Sequence, residues 1–547
     1  MRKWILIGIV MLAFLLRVPH LSSFPQGFTP DEASFGYDAF SILHTGKDQW
    51  GHTLPLVLES FGDFKPPLYS YVAVPFVALL GLNETSVRLP NALLGSLAVL
   101  VVYFLVKQLF KKYDKKEHFA LASSFLLAIS PWHVMMSRGA FEANLTTFLM
   151  PLGVLLFIKG IKNNRVLLLS TLVFGLNLFS YHSARVVTPL LVIGLLVLYR
   201  KDILKISRRY LIAFFMVLGI FGVGTLYTFN VGAGTRVSDI SVFAGAMQEA
   251  ATPRLELINS GVSPQVAKLL HNKFTVAIPR FVNNYTQYYS LKFLITDGPN
   301  EATYGMVPGM GTLYLIEVLF LVGFVCWLYR NPRSKEGWFL LFWILVAPIP
   351  AALAQGVGYS ANRVVVILPA LSILSAIGFV TVAGFLSRKS KLPILAVCFA
   401  LSILIVLQGL KIASQYLLPS RALAAPMLYG RGEALKHVGN SEKVILSRSL
   451  SEPHIYVAFY TQSNVDDYQE NSKNWGEYRE RGLKFLDQLD PYYLSKYEFT
   501  SIEGKEKSEL SGYTVVGKPE EFNLENTPSE IIYYPSGEEA IYIVEYD

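Results

Sequence analysis

Two adjacent acids, Asp31 and Glu32, stand in the stretch Phe28-Thr-Pro-Asp-Glu-Ala-Ser-Phe-Gly-Tyr37, just beyond the first apolar run of the chain. No packing requirement puts paired carboxylates there, and a carboxylate reaching into a polar cavity can serve as a general base. Three cations offer complementary chemistry: Lys65 before Pro66-Pro67, Arg185 at the end of Tyr181-His-Ser-Ala-Arg185, and Arg363 after the Gly-containing loop from Gln355. A cation at a membrane face can bind a phosphate and stabilise charge on a leaving oxygen. It can also simply snorkel. Arg138, Glu142 and Asn144 share another loop, where Arg138 and Glu142 at i, i+4 suit either ligand contact or a helix-turn ion pair. Asn283, Asn284, Tyr285 and Tyr288 form an amide and aromatic cluster of the kind that contacts sugars, and equally of the kind that makes turns and interfacial belts. His133, His182, Cys326 and Cys398 show no ligand spacing, and both cysteines lie inside apolar runs, so neither a metal nor a disulfide is assigned.

The elements that must position these residues are membrane helices. Of 547 residues, 52% are hydrophobic and 16% charged, unlike a soluble chain. The +8 net charge divides unevenly: residues 415–547 hold 13 Lys and Arg against 22 Asp and Glu, a balance of −9, which leaves +17 for the remainder. That excess sits in short loops between apolar runs, Lys111–Lys116, Lys162–Arg165, Arg200–Arg209, Arg330–Lys335 and Arg388–Lys391, which argues for membrane topology and against nucleic acid. With these loops inside and Arg2-Lys3 cytoplasmic, parity closes with about eleven spans and the acidic tail outside. The run Pro66–Leu82, interrupted by Pro75, would invert that parity if it crossed, so it is expected to lie at the outer face.

Outer loops of about 19–90 and 230–310 then face the same side as the ends carrying Arg138, Arg185 and Arg363. Residues 1–414 form the expected transmembrane domain and 415–547 an extracytoplasmic α/β domain with a mixed sheet. In the latter, strands are expected at 444–447, 455–460, 513–516, 531–534 and 541–546, and helices near 432–438 and 477–489.

Phe28-Thr-Pro-Asp-Glu-Ala, Lys65-Pro-Pro-Leu-Tyr69 and Ser86-Val-Arg-Leu-Pro-Asn91, in that order, resemble the first third of the protein O-mannosyltransferase superfamily, which includes the bacterial lipid A aminoarabinose transferases. Ser137-Arg-x-x-Phe-Glu-x-Asn144, Tyr181-His-Ser-Ala-Arg185 and Asp297-Gly-Pro-Asn300 with Pro308-Gly-Met-Gly-Thr-Leu-Tyr314 are similar to the family 39-type relatives, and the likeness runs over about 20–370. The resemblance implies a GT-C type membrane glycosyltransferase with juxtamembrane helices in its first outer loop. It implies a polyprenyl-phosphate sugar as donor and no further cofactor, with metal dependence left open.

On that resemblance Asp31 is the base of an inverting transfer, and Glu32 its catalytic neighbour. Lys65, Arg363 and Arg185 hold the donor phosphate. Arg138, Glu142, Asn144, His182, Asn283, Tyr285 and Tyr288 are the candidates for sugar or acceptor contact. The partners are the lipid donor, membrane lipids and a protein, lipid or glycan acceptor, with chemistry on the outer face of the cell membrane. A lipid-linked saccharide flippase would instead place charges near the midplane and repeat its broken helices. A non-catalytic envelope assembly subunit would not require Asp31 and Lys65.

Overall fold

The computed structural model describes residues 2–233, 241–355, 360–522 and 527–546. Helix α1 (Arg2–Arg17) leads into a loop that ends at α2 (Pro30–Thr45). The start of α2 is set by local chemistry: Thr29 and Glu32 form a capping box and Pro30 takes the first helical position. Its end is set by Gly46, in the left-handed region at φ 70°. Strands β1 (Leu58–Glu59) and β2 (Phe64–Lys65) then pair antiparallel, Leu58 with Lys65. The turn between them needs glycine: Gly62 has φ 115°, and a Cβ there would meet the Lys484 carbonyl oxygen at 2.4 Å. Helix α3 (Leu68–Leu80) follows Pro66-Pro67. Its 13 residues extend about 20 Å, short of a bilayer core.

Helix α4 (Glu84–Leu109) is the first long apolar helix. Next, α5 (Lys116–Ile129) and α6 (Pro131–Arg138) meet at 56°. Proline at such a bend leaves carbonyls without helical donors. Arg17, wholly buried, supplies them, donating to Ala128 O at 2.9 Å and Leu127 O at 3.1 Å. Helices α7 (Leu145–Gly160), α8 (Asn164–Leu178) and α9 (Ala184–Leu198) continue the bundle, followed by helices Arg208–Thr228, Glu317–Arg330, Lys335–Val346, Leu368–Ser390 and Ile394–Leu417. Each apolar run read from sequence contains helix. Among the described residues six helices are long and apolar enough to cross a membrane, seven if α5 and α6 count as one span. The others, such as α8 and α9 at 15 residues, reach about 22 Å.

The C-terminal region forms a six-stranded mixed sheet in the order β4-β5-β3-β6-β8-β7. Its strands are β3 (Val444–Ser447), β4 (Tyr492–Leu494), β5 (Tyr497–Thr500), β6 (Thr514–Gly517), β7 (Glu530–Tyr533) and β8 (Glu539–Glu545). β3 runs parallel to both β5 and β6, and the remaining pairs are antiparallel. The segment 455–460, read as a strand, is the helix Pro453–Thr461. Its residues 453–459 are buried on every side, which removes any periodicity, and Pro453 at the first helical position is the signal that decides it. The expected helix near 477–489 is two short turns, Glu477–Glu480 and Leu486–Gln488, and a helix at Val465–Trp475 replaces it.

The sheet region is not packed as a separate globule. One apolar core contains Phe28, Phe35, Tyr37 and Tyr69 together with Tyr456, Phe459, Tyr468, Trp475 and Phe499. Tyr456 Oη donates to Phe28 O at 2.7 Å, Tyr37 Oη to Ser463 O at 2.9 Å, and Leu486 N to Phe61 O at 3.1 Å. A chain ended after Leu428 would strip half of this core from α2 and α3. We expect such a truncation to be recovered from detergent extracts only as aggregate, by size-exclusion chromatography; a monodisperse species would show that α2 and α3 hold their places alone.

Candidate active site

The two acids that begin α2 have different surroundings. Glu32 is entirely buried, with both oxygens engaged by Arg88 of α4: Nε to Oε1 at 2.8 Å and Nη2 to Oε2 at 3.0 Å. Oε2 also accepts from Thr29 N at 3.0 Å, and Oε1 from Ala140 N at 2.9 Å. Arg88 continues to the carbonyls of Leu21, Pro25 and Gly27. Glu32, expected as a catalytic neighbour, is thus a positioning group with no oxygen left for substrate. Asp31, one residue earlier and about 100° around the helix, keeps a side chain 43% exposed and pairs with Lys65 Nζ.

Lys65 is buried at the end of β2. Its ammonium also donates to Ser60 Oγ at 3.0 Å and lies 5.3 Å and 4.7 Å from the ring centroids of Phe35 and Phe61. Burial alone would lower its pKa, but Asp31, Asp63 and Glu142 outweigh it, and the group stays charged above the usual lysine range. The backbone beside it is fixed by His182, whose Nε2 lies 3.1 Å from Phe64 O. His182 therefore supports the lysine's strand, while its Nδ1 lies 3.4 Å from Arg185 Nη1. Arg185 is buried over the Phe229 ring at 5.2 Å, and its Nη2 has no hydrogen-bond partner among the described residues.

A second cluster lies in the same electrostatic neighbourhood. Glu301 accepts from the N–H of Ala361 at the start of the helical turn Ala361–Val364, and it feels the charge of Arg363. Burial raises Glu301 to about 7 against that donation. The buried phenol of Tyr304 is pushed well up by burial and by Tyr181, Asp31, Glu301 and Glu142, so these groups share one electrostatic neighbourhood. Glu142 lies in the single 3-10 turn Glu142–Asn144, and its charge also bears on Lys65. Asp31, Lys65, Glu142 and Arg363, read from sequence, thus meet Glu301, Tyr304 and Ser60, which were not.

Four other expected contact residues are bonded within the protein. Arg138 donates to five carbonyls at the end of α1 and beyond, those of Leu16, Arg17, Pro19, His20 and Phe24, instead of pairing with Glu142. Asn144, 1% exposed, bonds Asn91 Oδ1 at 3.0 Å and Ser137 Oγ at 3.2 Å. Tyr285 Oη donates to Leu345 O at 2.7 Å, and Tyr288 Oη accepts from Ser360 N at 3.2 Å. Asn283 is exposed on the same helix, Lys273–Gln287, whose Asn284 binds the carbonyls of Ala352 and Ala354. Asn284, Tyr285 and Tyr288 thus dock that helix, while the side chain of Asn283 stays exposed. His133 is held between Arg17 and Thr147, far along the chain from His182 and its Phe64 partner. Among the described residues no three His, Cys, Asp or Glu side chains gather as metal ligands. A cavity of about 140 Å³ at the seam with the sheet region, lined by Glu84, Tyr429, Arg431 and Tyr460, includes neither Asp31 nor Lys65.

Residues 64–224 match the family of dolichyl-phosphate-mannose-protein mannosyltransferases. No curated protein matches the chain. Among solved structures, ArnT from Cupriavidus metallidurans bound to undecaprenyl phosphate aligns over 99% of this chain and 98% of its own, with a TM-score of 0.52 and 12% identity. Its apo state gives a TM-score of 0.52 over 99% and 97%. The chain has the GT-C fold. The Lys65 and Arg88 motifs lie within the matched residues, and the expected architecture of a helical membrane domain joined to a C-terminal sheet stands. The oligosaccharyltransferase of Archaeoglobus fulgidus is also similar, at a TM-score of 0.48 and 14% identity, over 83% of this chain and 61% of that one.

Two outcomes follow from these environments. Replacing Glu32 by Gln leaves Arg88 charged and buried without its counter-ion, which costs about 3–5 kcal/mol. Thermal unfolding in detergent should show this as a large loss, and a change under about 1 kcal/mol would remove the pair from its structural role. For Glu301 the folded value near 7 exceeds the ordinary 4.5, so the folded state holds its proton more tightly. Stability should therefore fall by roughly 3 kcal/mol as pH rises through that window. The Glu301→Gln protein should lack this decline in melting temperature between pH 4.5 and 7.

Proposed function

We propose that this protein transfers a sugar from a polyprenyl-phosphate donor to an acceptor at the outer face of the cell membrane, with inversion at the anomeric carbon. The observation that carries the reading is the ion pair between half-open Asp31 and fully enclosed Lys65, with Arg185 and Arg363 on neighbouring segments. The family match over residues 64–224 and the shared fold of a protein crystallised with undecaprenyl phosphate support it. So does the gathering of ionisable groups at helix ends rather than along the helices.

In the free protein Lys65 is the counter-ion of Asp31. A donor phosphate entering beside Lys65 competes for the ammonium and leaves Asp31 more basic. The acceptor hydroxyl then gives its proton to Asp31 as its oxygen attacks the anomeric carbon. The bond from that carbon to the phosphate oxygen breaks, and the electron pair leaves with the lipid phosphate. Lys65, with Arg185 and Arg363, stabilises the charge that develops there. Glu142 is placed to hydrogen-bond the sugar or acceptor. The acceptor is a protein, lipid or glycan hydroxyl or amine, and the C-terminal sheet lies on the outer side with the site.

The purified protein should transfer or hydrolyse at least one of a panel of undecaprenyl-phosphate monosaccharides. Asp31→Asn should retain binding of undecaprenyl phosphate while turnover drops about 10²–10⁴-fold. Lys65→Met should instead weaken that binding by roughly 10–100-fold, as expected for losing a charged hydrogen bond. An Asp31→Asn protein that folds and turns over at the wild-type rate would falsify the assignment of the base.

A further inference from the structure

The sheet region contributes a carboxyl group that nothing in the scaffold uses. Glu452 lies at the entry to the helix Pro453–Thr461, after the turn Arg448–Leu450. Ser451 and Glu452 are both non-glycine residues in the left-handed region, at φ 58° and 48°, and two such residues in succession are held there only by their surroundings. The helix they open rests on the base-bearing helix α2: the Phe459 and Phe28 rings are 4.9 Å apart, and Tyr456 holds the Phe28 carbonyl. Phe61 links the two sides, its ring centroid 4.7 Å from Lys65 Nζ and 5.7 Å from the His454 ring.

Glu452 is 8% exposed, and its Oε2 has no hydrogen-bond partner among the described residues. Buried carboxyl oxygens are ordinarily satisfied, so an orphan calls for a partner. The nearest basic atom is His454 Nδ1 at 3.8 Å, which is already 3.0 Å from Tyr492 Oη. Burial holds that imidazole down at about 3, so it is uncharged and supplies no counter-ion. Glu452 is itself raised well above the carboxylate range by burial, then by Asp487, Asp63 and Asp31, with Lys65 opposing. Through Phe61, and within reach of these charges, it lies on the same side as the Asp31–Lys65 pair. A neutral carboxyl both donates and accepts hydrogen bonds, which suits a hydroxyl of an uncharged sugar better than a phosphate or a cation.

We propose that Glu452 is a sugar-binding residue of the active site, supplied by the C-terminal sheet region, whose free carboxyl oxygen takes a hydroxyl of the donor's monosaccharide while Lys65 holds the phosphate. This rests on the glycosyl-transfer reading above and specifies which part of the chain reads the sugar.

The test compares binding of undecaprenyl phosphate with binding of undecaprenyl-phosphate mannose and glucose, by native mass spectrometry on full-length protein in detergent. Wild type should prefer at least one sugar-bearing lipid to the bare phosphate. Glu452→Met keeps the side chain's length and removes an unsatisfied polar group, so its melting temperature should equal or exceed that of wild type. It should reduce the preference about tenfold, leave affinity for the bare phosphate unchanged, and be rescued by Glu452→Gln, which retains a donor and an acceptor. A Glu452→Met protein that is destabilised, or that loses affinity for both lipids alike, would assign the carboxyl to the scaffold and overturn the proposal. So would an unaltered preference, or equal affinity of wild type for all the lipids. A wild-type protein that binds none of them, bare phosphate included, would overturn the glycosyl-transfer reading itself and the role of Glu452 with it.

Discussion

The buried ion pair between Glu32 and Arg88 is the constraint on which the site's geometry depends. Two opposite charges with no exposed surface are costly to desolvate, and the cost is offset only when every lone pair and N–H is used. Here Glu32 takes Arg88 twice, the Thr29 backbone and the Ala140 backbone, and Arg88 takes three carbonyls of the loop before α2. The pair therefore joins the first turn of α2 to α4, to the loop after α1 and to the segment entering Glu142. Any rotation of α2 would break several charged hydrogen bonds together. The consequence reaches the next residue back: with Glu32 directed inward, helical geometry turns Asp31 towards Lys65 and the open side. Adjacent acids divide the work because one of them is fully committed.

The sheet region completes what this ion pair begins. α2 and α3 are short, and α3 is too short to span a bilayer, so their buried sides need protein partners. Tyr456, Phe459 and Tyr468 cover them from the other side. The β1–β2 turn carrying Lys65 is clamped in the same way, since Gly62 lies against the Lys484 carbonyl and Phe61 O accepts from Leu486 N. The Asp31–Lys65 pair thus sits at a seam between a membrane bundle and an α/β layer. Its rigidity comes from contacts distant in sequence.

Much of the bundle was legible because apolar length and loop charge are strong one-dimensional signals. The short α3 was legible for the same reason, through the parity of basic loops. Asp31 stood out as half of an acid pair with no packing reason to be there, and Lys65 through the family resemblance; the structure brings the two into contact. The misreadings share a different cause. Arg138, Tyr285 and Tyr288 have the residue types of ligand contacts, yet their partners are main-chain groups of segments such as residues 16–24 and 345–360, and Asn144 meets the side chains of Asn91 and Ser137, none of which a local pattern announces. Arg88 stood within a recognised motif and carried no assignment, although an arginine at the start of a long apolar helix opposite an acid is a readable cue. Glu301 and Tyr304 follow Asp297-Gly-Pro-Asn300 by a few residues, but only the fold brings that loop to Asp31. In the sheet region, burial on all sides erased the periodicity of residues 453–459, and a helix was read as a strand.

The charge balance around Lys65 explains how such a site stays intact without substrate. The ammonium is enclosed by Phe35 and Phe61, where an unpaired cation would be strongly disfavoured, so the free protein must furnish an anion. Asp31 is that anion, and Asp63 and Glu142 add to the field. On the proposed chemistry a lipid phosphate supplies the same charge, so donor binding would exchange one counter-ion for another at little electrostatic cost to the lysine. The exchange is not neutral for Asp31, which loses its cation and gains affinity for a proton. On the proposed chemistry, the basicity needed to activate the acceptor therefore develops only when the leaving group is in place. An acid held by a buried lysine is a poor base until the reaction is ready for it.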